Sequence, residues 1–195
     1  MRSFWKTPLL GPMVFAVWRA DARRKLDLVA PWIAQTDRIL EIGSGPGSVL
    51  QTFRTAGLDV DAIDVSDSSY SETLKPILYD GQTMPFSDQT YNVALLLTVL
   101  HHIEDPESVL LEAARVAKRV IIIEDVYEGA WQRKYTKVAD SITNLEFFGH
   151  PHSNRSDREW RETFARLNFH LEHGSVHPFA VAFQQAVYVI GASTD

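Results

Sequence analysis

Residues 38–50, RILEIGSGPGSVL, decide the fold. An apolar run, Ile39 to Ile42, arrives at three glycines, Gly43, Gly45 and Gly47, with Ser44 and Pro46 between them. Beyond them Val49, Leu50, Phe53 and Ala56 recur at helical spacing, and Gly57 ends the pattern. The segment reads as strand, bare loop and helix. A loop without side chains serves either a tight reversal or the close approach of main chain to a ligand, and the helix start behind it offers outward-pointing amides.

The rest of the chain repeats this alternation. Apolar runs at 59–66, 75–81, 91–100 and 119–126 read as further strands, the last so continuous in Val and Ile that both its faces must be covered. DPESVLLEAARVA (105–117) opens with an acidic cap and a first-turn proline, so it reads as a helix, as does DREWRETFARLN (157–168). Strands alternating with helices predict a parallel sheet with right-handed crossovers. Two closing runs, 170–177 and 183–192, follow one another without a helix and predict an antiparallel hairpin at one edge. The expected fold is α/β, a Rossmann-like sheet of seven strands, mostly parallel, with helices on both faces. Two connections depart from the pattern: the crossover after Asp64 is too short for a full helix, and some thirty residues separate Asp125 from Asp157.

With 195 residues the chain is expected to form one domain, 1–195, in which 1–34 makes an N-terminal helical lid (helix from Met13 to Ala30) and 127–156 a substrate-side insertion after strand five. A formal net charge of -6 argues against nucleic acid as a partner. The absence of cysteine removes thiolate chemistry and disulfides. The apolar start is broken by Pro8, Gly11, Pro12 and Arg19, so neither a signal peptide nor a membrane partner is expected, and the cytoplasm is the default location.

In a parallel sheet ligands bind beyond the strand carboxyl ends where the topology reverses. Three carboxylates sit at such ends: Glu41 before the glycines, Asp64 after the second strand and Asp80 after the third. An acid closing strand two can accept both hydroxyls of a ribose, and a row of acids suits a positively charged nucleoside better than a pyrophosphate.

At this point the chain resembles the class I methyltransferases that use S-adenosylmethionine. EIGSGPG (41–47) is similar to their acid-x-Gly-x-Gly-x-Gly motif, and DGQTMPFSDQTYNVALLLTVLHHIEDP (80–106) resembles the small-molecule, ubiquinone-biosynthesis-type branch. The resemblance implies S-adenosylmethionine as cofactor. It implies that Glu41, Gly43, Ser44, Gly45 and Gly47 hold its amino acid end and Asp64 its ribose, with Val65 also in contact with the cofactor. Asp80 and Gly81 would meet the adenine edge, and Leu97 and Thr98 the sulfonium side. Asn92 stands where the family often has Asp.

Methyl transfer asks the protein to align an acceptor and, for O or N acceptors, to remove a proton. His102, after strand four, and His150, in the polar loop GHPHSNR, are the candidate catalytic residues. No metal is expected, because Asp125, His150 and His152 follow no known ligand spacing. The expected partner is a small, partly apolar methyl acceptor. Two other readings stay open on sequence: an NAD-dependent oxidoreductase, which also needs a glycine loop and a strand-two acid, and a noncatalytic protein that binds S-adenosylmethionine as a regulator.

Overall fold

The apolar runs pair into one seven-stranded sheet. The computed structural model describes residues 10–127, 155–179 and 183–192. In chain order they form α1 (Gly11–Val29), β1 (Arg38–Ile42), α2 (Ser48–Thr55), β2 (Asp59–Asp64), β3 (Ile77–Leu78), β4 (Tyr91–Leu97), α3 (Pro106–Val116), β5 (Ala117–Val126), α4 (Asp157–Arg166), β6 (Phe169–Phe179) and β7 (Phe183–Ala192). Across the sheet the order is β3-β2-β1-β4-β5-β7-β6. The first five are parallel, and β7 runs antiparallel to both its neighbours. The order reverses between β1 and β4, so the crevice beyond those two strands is where this topology places a ligand.

Side-chain alternation divides the interior into two cores. Ile39, Leu95, Leu97, Ile121 and Ile123 pack with Phe15, Ala22 and Val29 of α1 and with Leu50 and Phe53 of α2. Leu40, Ile42, Ala94, Leu96, Val120 and Ile122 face Val109, Leu110 and Ala113 of α3 and Trp160 and Phe164 of α4. Each fully buried aliphatic side chain contributes about 1.5–3 kcal/mol, so both faces of the central strands are needed for the fold. Two caps fix the helices of the second face. The Asp105 carboxylate accepts from Ser108 N at 3.2 Å, and Ser156 and Glu159 form a reciprocal capping box at the start of α4.

The differences from the expected elements have local causes. Only one 3-10 turn, Glu72–Leu74, lies between β2 and β3. β3 stops at Leu78 rather than running to 81, because Asp80 turns its carboxylate back to accept from Gln82 N (2.8 Å) and Thr83 N (3.0 Å). β4 ends at Leu97 rather than 100, because Thr98 takes a positive φ of 61° and leaves the strand plane. Asn92 accepts from Arg38 N at 2.9 Å and so ties the bottom of β4 to β1. The closing hairpin is antiparallel as expected, with its second strand inward, so that β7 covers β5 and β6 forms the edge.

Candidate functional site

The carboxyl ends of β1, β2, β3 and β4 bring Gly43 to Gly47, Asp64 and Val65, Asp80 and Gly81, and Leu97 and Thr98 to one edge of the sheet. Gly43, Gly45 and Gly47 all take positive φ, at 78°, 49° and 83°. Gly43 is there for close packing: a Cβ on it would stand 2.3 Å from Val99 Cγ2. Gly45 differs, since a Cβ on it would meet nothing within 4 Å. The backbone at Gly45 therefore borders open space, as a ligand cradle requires. Asp64 braces this loop, its Oδ2 accepting from Gly45 N at 2.9 Å and its Oδ1 from Ser66 N at 3.1 Å. Val65, one residue on, is 62 % exposed, an apolar side chain presented at the same edge.

Two oxygens under the loop are buried without a hydrogen bond: Glu41 Oε2 and Ser44 Oγ. Burial pushes the Glu41 carboxyl up to about 8; nearby Lys25 opposes that rise and Asp64 adds to it. A cationic group delivered here would restore the charged carboxylate and satisfy the orphaned oxygen. Asp80, by contrast, is exposed, and the amides of Gln82 and Thr83 hold its carboxyl below the usual range.

Lys25 is a residue the sequence analysis did not single out. It is only 7 % exposed, because it stands three residues after Ala22 and four before Val29 on the inward face of α1, and that phase was the available signal. Its ammonium donates to Thr98 Oγ1 at 2.8 Å and pairs with Asp21 at 3.1 Å. Arg24 beside it donates to Asp21 and to Gln185 Oε1, and Gln185 in turn donates to Asp125 at 2.8 Å. α1 is thereby tied to the ends of β4, β5 and β7.

The turn after β4 holds the two histidines. His101 is 1 % exposed, and its Nδ1 lies 2.7 Å from Oε2 of Glu124, which is fully buried. His102 is half-buried, its ring 4.0 Å from that of His101. Glu124 was also missed, although an acid directly after Ile121, Ile122 and Ile123 in the run VIIIEDV (120–126) was the sign of it. His150, His152 and most of the insertion lie outside the described residues. Among the described residues no group of three or more His, Asp or Glu side chains could hold a metal ion, and no helix is long and apolar enough to cross a membrane.

Known proteins resemble this chain in sequence and fold. A family model described as a methyltransferase domain matches residues 16–174. An uncharacterised protein of Methanocaldococcus jannaschii is 34% identical over 83 residues, 42% of this chain and 40% of that one. A demethylmenaquinone methyltransferase of Corynebacterium urealyticum is 29% identical over 106 residues, 52% of this chain and 44% of that one. These matches thus span less than half the length of either curated relative. A solved structure from Thermotoga maritima, described as a SAM-dependent methyltransferase and possible histamine N-methyltransferase, superposes with a TM-score of 0.66 at 19% identity, covering 95% of this chain and 96% of its own. The family match takes in the glycine loop, the three strand-end carboxylates and the turn after β4, and on that match the chain belongs to the methyltransferase domain family.

Proposed function

We propose that this protein transfers a methyl group from S-adenosylmethionine to a small, partly apolar acceptor. The observation that carries the reading is the buried, unpartnered Glu41 oxygen beneath a glycine loop whose middle member faces open space. The chemistry S-adenosylmethionine supplies is an activated methyl on a sulfonium, and its amino acid end brings the cationic group that Glu41 lacks. In this reading Glu41, Ser44 and the loop from Gly43 to Gly47 hold that end, and Asp64 accepts from the ribose. Val65 covers the adenine, whose edge meets Asp80 and Gly81. Leu97 and Thr98 line the transfer side. Glycines and acids bind and orient; none of them needs to change its bonding during an in-line displacement.

His102 and His150 are assigned to the acceptor side, where an imidazole serves as proton acceptor or as a wall. A cleft of about 350 Å³ lined by Pro12, Phe15, Ala16, Arg19, Gln51 and Tyr70 supports an acceptor of small size and mixed polarity. It shares a wall with the glycine loop, since Tyr70 N donates to Pro46 O at 3.0 Å. The testing experiment is calorimetric titration with S-adenosylmethionine, S-adenosylhomocysteine and NAD in parallel. Binding of the first two and not the third is expected; binding of NAD alone, or of none, overturns the reading.

A further inference from the structure

The turn from Thr98 to His102 is held in a conformation that its residues would not choose. Thr98 is β-branched and sits at φ 61°, a region costly for such a side chain. Strain of this kind persists only where neighbours over-determine it. Thr98 N donates to Ile123 O at 2.7 Å, and Lys25 holds its hydroxyl from the α1 face. From the opposite face a single carboxylate takes three bonds. Glu124 Oε1 accepts from Val99 N at 2.9 Å and from Leu100 N at 2.7 Å, and Oε2 meets His101 Nδ1 at 2.7 Å.

We infer that Glu124 is a positioning residue for the site: it sets the turn after β4, and through Val99 the glycine loop, and it fixes His101 with the proton on Nδ1. The link to the loop is steric. The Val99 side chain packs where Gly43 has no Cβ, so moving the Val99 amide moves the atoms that support Gly43. The link to the imidazole is a matter of donors and acceptors. An ionised carboxylate only accepts, so a ring nitrogen 2.7 Å away must carry the hydrogen, and the His102 ring, tilted 46° to that of His101, meets an imidazole of defined orientation. No side chain from the α1 face can replace this, because Glu124 alternates onto the α3 and α4 face between Ile123 and Asp125.

The inference rests on the methyl-transfer reading for its purpose and not for its geometry, and two variants separate them. In Glu124→Gln the carboxamide oxygen still accepts the two backbone amides, while its NH2 now faces His101 and forces Nδ1 to become the acceptor. Glu124→Ala removes all three bonds. The ring nitrogens of protein labelled with 15N-histidine report the proton directly, the His101 signals being those lost in His101→Asn.

The wild type should show a protonated Nδ1 at His101, and Glu124→Gln should move the proton to Nε2 while binding S-adenosylhomocysteine within about threefold of wild type. Glu124→Ala should lose at least about tenfold in that affinity, and Glu124→Gln carries the test alone if the alanine variant does not fold. An unprotonated Nδ1 in the wild type, an unchanged tautomer in Glu124→Gln, or wild-type affinity in Glu124→Ala overturns the inference. If the tautomer inverts as expected but the wild type binds no S-adenosylhomocysteine, the methyl-transfer reading fails and the Glu124–His101 pairing stands.

Discussion

A methyl group added at Gly43 falls onto Val99, whereas one added at Gly45 falls into open space, so the two glycines separate folding from binding. Gly43→Ala should lose about 2–4 kcal/mol of stability from the clash and the positive φ together. Gly45→Ala should lose only about 1 kcal/mol from the backbone but most of the cofactor affinity; scanning calorimetry and titration of the pair would check this. Glu41 gives a pH signature. Its carboxyl, ordinarily near 4.5, stands at about 8 in the folded chain, so the unfolded state loses the proton first and stability falls as pH rises from about 4.5 to about 8. Glu41→Gln should therefore match the wild type near pH 4 and exceed its stability at pH 7.5 by on the order of 1–3 kcal/mol in chemical denaturation. Affinity for the cationic cofactor should also rise with pH over that window in the wild type alone. At this scale the glycines and acids were legible because their chemistry shows in the residue type. Lys25 and Glu124 were harder to read, because their signals, the phase of α1 and an acid after an isoleucine run, gain a meaning only once burial is known.

Among the elements, α3 and α4 are joined by Glu107, which accepts from Arg166 at 2.6 and 2.7 Å and from Arg155 at 3.1 Å. Arg166 first, and Arg155 after it, hold the Glu107 carboxyl down at about 2. A lowered carboxyl contributes stability above its ordinary value of 4.5, and that contribution disappears as pH falls toward about 2. Glu107→Gln should flatten this part of the acid-unfolding curve, by no more than about 1 kcal/mol because the cluster is partly exposed to water. The capped helices and the continuous run of β5 were readable from local pattern. The end of β4 was not: hydropathy carries Leu97 through Leu100 as one run, and only tertiary bonds from Lys25, Ile123 and Glu124 turn Thr98 out of the strand. The short β3 has the same origin on a smaller scale, in the Asp80 turn.

The whole molecule depends on where the last strand goes. β7 pairs with β5 along Arg119 to Val126, so the hairpin covers the strand richest in isoleucine. A chain ending at Asn168 should expose that edge and aggregate, which light scattering after size exclusion would detect, even though every residue proposed to bind cofactor would remain. Sequence pattern predicted the hairpin but not which of its strands lies inward, since both runs are compatible with pairing to β5. Among the described residues the two cores on either side of the sheet share no helix, and the strand plane separates them. The turn after β4 is grasped from both, by Lys25 on one side and Glu124 on the other. It works as a hinge pin through a wall: besides the central strands themselves, this short piece of backbone carries a disturbance from one core to the other. Lys25→Met and Glu124→Ala, on opposite faces, should consequently cost less together than the sum of their separate effects, with a coupling of at least about 0.5 kcal/mol in a double-mutant cycle.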